Sequence, residues 1–221
     1  LKTRGISTDA LVSVIDIAPS LAEWSTSGAL PTYQGISFVN LLETPNESHR
    51  KYVFGEHNWH DYTAHERMVR TNEYLLIENE FPQNPMSGAT DIHNSPTFSS
   101  LVKALDEGML DSAQMTHFQA PRPRIELYHI KNDPDQLFNL ALDSEYQGRV
   151  QQLLQVLNEW KDKTGDDVPD APTKDKYDFL TANPFEPDRH YSDIDRGDIP
   201  GSTTKASEIS SSDSMYLAAP E

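Results

Sequence analysis

Between Arg122 and Gly165 the sequence spells out a strand, a turn and a long amphipathic helix, and that order fixes much of what the chain can become. Ile125, Leu127 and Ile130 are the apolar residues of a short strand, with Tyr128 as a large amphipathic neighbour. Asn132-Asp133-Pro134-Asp135 joins an Asx-type turn former to a proline of fixed φ. Leu137, Phe138, Leu140 and Ala141 then lead to Asp143, a good helix N-cap. From 145 to 163, Val150, Leu153, Leu154, Leu157 and Trp160 recur at helical spacing. Gly165 supplies the stop, and Lys161 and Lys163 sit where cations suit the negative end of the helix dipole. The segment predicts a helix packed back on a sheet, a structural unit with no chemistry of its own.

Partners for that strand lie upstream. Strands are expected near 52–55, 67–71 and 74–79, with a hairpin turn over Thr71-Asn72-Glu73-Tyr74. Together with 125–130 they predict an α/β fold built on a small antiparallel sheet, with the helix near 145–163 on one face. Ser95 and Pro96 open a second helix, in which Phe98, Leu101, Val102 and Leu105 share a face. Near the start, Asp16 can cap a short helix with Pro19 in its first turn, where the missing N–H is harmless. Leu21, Ala22 and Trp24 of that helix are expected to face a core.

Composition narrows the function. The chain has 221 residues and a formal charge of −17. That balance excludes general nucleic-acid binding, which needs a basic face, and leaves any basic pocket local. Cysteine is absent, so there is no disulfide framework, thiolate metal site or cysteine nucleophile. No apolar run reaches the length of a membrane span. The chain opens on Leu1 with no leader-like stretch, so the protein's start is expected upstream. No G-x-x-x-x-G-K or G-x-G-x-x-G occurs to cradle a phosphate. Residues 166–221 hold thirteen acids to five bases with many Pro and Ser. They read as a solvated, partly disordered tail, or as an extended arm laid on the rest.

The densest group of chemically capable side chains is His57, Asn58, Trp59, His60, Asp61, Tyr62, His65, Glu66, Arg67 and Arg70. It opens in an irregular stretch just after a strand, a usual place for site residues on a rigid scaffold. Three readings compete. The histidines, Asp61 and the arginines could hydrogen-bond sugar hydroxyls and a sulfate, with Trp59 or Tyr62 stacked on a pyranose face. His57, His60, Asp61 and His65 could ligate a metal, although their spacing matches no zinc signature. The bland reading is an exposed polar loop with satisfied histidines. His49, His93, His117, His129 and His190 are isolated and read as structural or solvated. Arg122 and Arg124 flank a strand, as rim cations or as members of salt bridges.

Glu126 to Ala141, ELYHIKNDPDQLFNLA, resembles the "ELYDL–DP–E–NLA" signature near the C-terminus of the sulfatase family. PRPR at 121–124 and SPTFSSLV at 95–102 look closest to the N-sulfoglucosamine sulfohydrolases (heparan N-sulfatases) and their bacterial relatives. VSVIDIAPSLAEW is similar to the family's "DiaPTll" segment and ISFVNLLE to its "GrSl–pll" element. The similarity runs, with gaps, from about Val12 to Asp178, and TKDKYDFLT at 173–181 shares it, which favours order there.

The resemblance implies the α+β C-terminal subdomain of the alkaline-phosphatase-like sulfatase fold. It divides the chain into the end of a catalytic domain at 1–50, a C-terminal subdomain at 51–165 and the acidic tail at 166–221. It implies a hydrolase removing N-sulfate or O-sulfate from glucosamine-type glycans such as heparan sulfate, in a periplasmic, secreted or lysosomal setting. His60-Asp61 match a His–acid pair of the family close to the active-site mouth, and Arg67 matches a family arginine after a one-residue gap. The expected substrate-binding set is therefore His57, His60, Asp61, Arg67 and Arg70. His129 departs from the acid that usually follows "LY". The family's formylglycine arises from C-x-P-x-R or S-x-P-x-R, and neither motif is present. Its Ca²⁺ ligands also have no counterpart. Formylglycine, Ca²⁺ and the N-terminal catalytic domain are thus expected from outside this chain, which by itself is expected to be inactive. The rival readings are a non-catalytic carbohydrate- or protein-binding module and an inactive truncated product.

Overall fold

The structure is a computed structural model and describes residues 4–25, 33–188 and 197. Four strands, β1 (Val53–His57), β2 (Glu66–Arg70), β3 (Tyr74–Asn79) and β4 (Ile125–His129), form one sheet in the order β1-β2-β3-β4. Every pairing is antiparallel. Four helices lie outside the central unit: α1 (Ile17–Trp24), α2 (Thr90–His93), α3 (Pro96–Asp106) and α4 (Ser112–Met115). The long helix α5 (Gln147–Thr164) follows β4 and packs on the sheet. The expected small antiparallel sheet with a packed C-terminal helix is the observed architecture.

Register explains which face α5 covers. Phe54, Val69, Leu76 and Leu127 are aligned partners across all four strands. Successive strand residues alternate faces, so this row lies on one side of the sheet. Val150, Leu153 and Leu157 of α5 meet it, with Tyr52 and Ala141 closing the core. Phe54 stacks on Trp160 with ring centroids 5.2 Å apart. Each fully buried Leu or Val is worth about 1.5–3 kcal/mol, so this face supplies most of the apolar stabilisation of the unit. The helix ends as its sequence predicts: Gly165 takes φ +66° and its N–H returns to the Lys161 carbonyl. Asp143 caps the short 3₁₀ turn Ser144–Tyr146 that leads into α5, rather than α5 itself. Ser95 caps α3 through the Phe98 N–H with Pro96 in the first turn.

Two residues along each strand on the same face lies a charged row, Glu56, Arg67 and Glu78. The polar end of α5 meets it. Lys161 Nζ donates to Glu78 at 2.6 Å, and Asp166, just beyond the helix stop, takes Arg67. The opposite face carries His57, Glu66 and Asn79 in register. There Arg122 bridges Glu66 and Glu126, Asn79 Nδ2 donates to Glu126 at 2.6 Å, and the Tyr128 hydroxyl donates to the same carboxylate at 2.5 Å. Arg122 is thus a buried member of a salt-bridge network, not a rim cation.

The N-terminal region departs from its expected role. Leu21 and Trp24 are 61% and 60% exposed, while Pro19 and Ser20 are the buried residues of α1. The helix turns its small side inward because the Ser20 hydroxyl binds the Asp16 carbonyl and receives the Phe38 N–H. Asp16 stands at the N-cap of α1 but makes no side-chain cap bond there. Its fully buried carboxylate accepts from Ser13 N, Ile36 N and the Arg50 guanidinium. Burial pushes this carboxyl up, but Arg50, His49 and the two backbone donors outweigh it and hold the group well below the usual carboxylate range. Gly35 is required here, since a Cβ would fall 1.9 Å from the Ile15 carbonyl oxygen.

Candidate functional site

The stretch between β1 and β2 is an irregular loop, as its sequence suggests, and its geometry is fixed from several sides. Asp61 occupies the left-handed region at φ +70°, a conformation that Asp tolerates better than most residues. Its carboxylate accepts the Thr90 N–H at 3.1 Å and so ties the loop to the start of α2. Asp61 is largely buried, whereas the neighbouring His60 side chain is 67% exposed, with Nε2 4.0 Å from the Asp61 carboxylate. His57 Nδ1 lies 3.3 Å from Glu66 Oε2. Burial pushes Glu66 up, but His57 and Arg122 together hold it below the usual carboxylate range.

Residues 166–179, read as a tail or an arm, form an arm along this loop. Trp59 Nε1 donates to the Lys174 carbonyl at 2.8 Å. Thr63 donates its N–H to Asp175 at 2.5 Å and its hydroxyl to the Thr173 carbonyl at 2.6 Å. Lys176 N donates to the Asp61 carbonyl at 2.8 Å. His65 Nε2 donates to the Asp167 carbonyl at 3.1 Å, leaving Nδ1 buried without a hydrogen-bond partner. His93 Nδ1 donates to the Phe179 carbonyl at 2.8 Å. Tyr62, His93, Phe98 and Phe179 pack as one aromatic group, in which burial pushes the Tyr62 hydroxyl up to about 12.

The five residues expected to bind substrate therefore separate. His57, His60 and Asp61 gather at one end of the sheet. Arg67 is 1% exposed, and Asp166 grips its Nε and Nη2 at 2.6 Å each while Asn58 and the Glu66 carbonyl take further donors. This arginine anchors the arm, its guanidinium turned to Asp166, Asn58 and the Glu66 carbonyl, where the resemblance had placed it in the substrate-binding set. Arg70 is exposed but sits at the far end of β2, roughly 13 Å along the strand from Glu66. Among the described residues no three His, Cys, Asp or Glu side chains converge as metal ligands. His65 and His93 are buried structural histidines, and His190 lies outside the described residues. The arm's contact residues carried no motif of their own; only the resemblance over 173–181 pointed to order there.

An exposed imidazole beside a fixed carboxylate can donate to and accept from hydroxyls, and an indole lies one residue away. That equips the loop to hydrogen-bond a polyhydroxylated ligand. Comparison with known proteins agrees with a sulfatase context. No protein-family model matches the chain. An ulvan-active sulfatase of Formosa agariphila is 30% identical over 164 residues, covering 73% of this chain and 27% of its own length. Human N-sulphoglucosamine sulphohydrolase is 28% identical over 179 residues, covering 75% of this chain and 35% of its own. The chain is a relative of the sulfatases.

The chain spans only about a quarter to a third of those two sulfatases, 27% and 35%. A solved protein in complex with its substrate D-glucosamine-2-N,6-O-disulfate superposes with a TM-score of 0.44 at 18% identity, covering 66% of this chain and 23% of that one. Among the described residues no helix of this sulfatase relative is long and apolar enough to cross a membrane.

Proposed function

We propose that the chain forms the C-terminal portion of a formylglycine-dependent sulfatase that removes sulfate from glucosamine-type glycans, and that its β1–β2 loop forms part of the substrate pocket wall. The observation that carries this reading is the sequence relation to sulfatases over about three quarters of the chain, one of them named for N-sulphoglucosamine. The exposed His60 beside the anchored Asp61 supports the pocket role. His60 contacts a sugar hydroxyl, Asp61 fixes the loop and orients the imidazole, and His57 stands at the edge. Residues 1–50 are the end of the catalytic domain, 51–165 form the C-terminal subdomain with the pocket wall, and 166–221 are the acidic tail, which begins as the arm. The residues present here do not fit the formylglycine or its Ca²⁺: there is no Cys, no S-x-P-x-R and no convergent ligand set among the described residues. Both would come from the catalytic portion, and no step is assigned to this chain beyond binding and orientation.

Kinetics of His60→Ala in the complete enzyme test the reading. Losing a hydrogen bond between His60 and a sugar hydroxyl costs about 0.5–1.5 kcal/mol, or about two- to tenfold in kcat/KM. Unchanged kcat/KM at unchanged stability removes the loop from the pocket.

A further inference from the structure

The contacts between the arm and the loop are unevenly distributed. Trp59, Asp61, Thr63 and His65 are each held by the arm, and Arg67 at the start of β2 is held by its first residue. His60, in the middle of this run, is the residue whose side chain stays two-thirds exposed. The bonds to the loop come largely from arm backbone, which sets main-chain position without needing particular side chains. The Lys176 N–H donates to the carbonyl of Asp61, the residue in the left-handed conformation. An Asp at positive φ is held there by its surroundings, since such backbone persists only where neighbouring structure over-determines it.

We infer that residues 166–179 are a positioning strap that holds the β1–β2 loop in the backbone conformation leaving the His60 imidazole free for a sugar. Arg67–Asp166 is its fixed end, Thr63 and Asp175 are positioning residues, and the aromatic group around Phe179 seats the far end. The inference rests on the pocket role proposed for His60. Its mechanical part is independent of that role, because the strap either restrains the loop or does not.

The test uses Asp175→Ala combined with Thr63→Val, which removes two strap bonds at partly exposed positions and leaves the core and the Arg67 pair intact. Amide hydrogen exchange is followed in the full 221-residue chain. Each lost net hydrogen bond is worth roughly a five- to tenfold change in local opening, so amides of 58–64 should exchange about tenfold faster or more. Amides of β3 and β4 should not change. Asp175→Asn, which keeps an acceptor oxygen, should retain protection. In the complete enzyme the double variant should raise KM for N-sulfoglucosamine several-fold with kcat and melting temperature near wild type. Unchanged loop exchange overturns the strap. Faster exchange with unchanged KM, in an enzyme where His60→Ala does raise KM, overturns its positioning role. If His60→Ala leaves KM unchanged, the pocket reading falls instead, and the strap is decided by exchange.

Discussion

Replacing Asp166 with Ala separates a structural Arg67 from a ligand-binding one. Arg67 has 1% of its surface exposed, and its partner carboxylate supplies two charge-assisted bonds of 2.6 Å. Removing one member of a buried pair leaves an uncompensated charge and costs about 3–5 kcal/mol. Asn58, the Glu66 carbonyl and the Glu56 carboxylate 3.9 Å away remain to soften the loss. The expected destabilisation is therefore at the lower end, about 3 kcal/mol, or ~6–12 °C in melting temperature for a chain of this size. Replacing both partners, as Arg67→Met with Asp166→Ala, should recover much of it, because no charge is then left buried. Urea and thermal unfolding of the two single variants and the double variant form a mutant cycle whose coupling term isolates the pair. A loss below about 1 kcal/mol for Asp166→Ala, or strictly additive single variants, would refute the anchoring role.

His60→Ala should leave the melting temperature of the chain unchanged, since its side chain packs on little, and circular dichroism melting checks this. Gly165→Ala should cost about 1–2 kcal/mol, because the helix stop needs φ +66°, and denaturant titration reads the loss. His65 and His117 are both held below their ordinary value of 6.5, first by burial and then by Arg67 and His93 respectively. The unfolded chain therefore binds more protons below pH 6.5, so stability should be flat above that pH and fall as the solution is acidified toward the folded-state values. A pH series of unfolding midpoints, repeated with His65→Gln, should show a shallower fall in the variant. Val14, Ile17, Leu21 and Trp24 form an exposed apolar surface, so Leu21→Glu with Trp24→Glu should lower self-association in sedimentation velocity.

Where local pattern dominates, the fold is legible in the sequence. The strand positions and the turn between β2 and β3 are legible in local pattern, and α5 follows from the spacing of Val150, Leu153 and Leu157 with its glycine stop. Side-chain partners were harder to see. Asp16 looks like a cap in sequence, yet its carboxylate is claimed by Arg50, thirty-four residues away. Arg67 looks like a free cation because Asp166 is ninety-nine residues distant and lies in a segment composed like a solvated tail. The arm binds largely through its backbone, and backbone bonds leave no compositional trace. Leu11 is buried, while Val14 is 78% exposed.

The same internal pairing bears on how an acidic chain could serve an anionic ligand. Arg50, Arg67 and Arg122 are each buried against carboxylates, so these three cations are neutralised within the fold, while the exposed Arg70 lies at the far end of β2. Glu56, Asp61, Asp175 and Asp178 lie along the loop, against Lys174 and Lys176 of the arm. A sulfate approaching it meets more negative than positive charge, and the favourable partner for His60 is a hydroxyl remote from the sulfate. We expect the sulfate to be held by the catalytic portion and the sugar ring by this loop. The prediction is a salt test. The KM increment caused by His60→Ala should be nearly the same at about 0.01 M and about 1 M salt, where the screening lengths are ~30 Å and ~3 Å, while wild-type KM itself rises with salt. An increment that disappears at high salt would mean that His60 acts as a cation toward the sulfate, and the division of roles would be wrong.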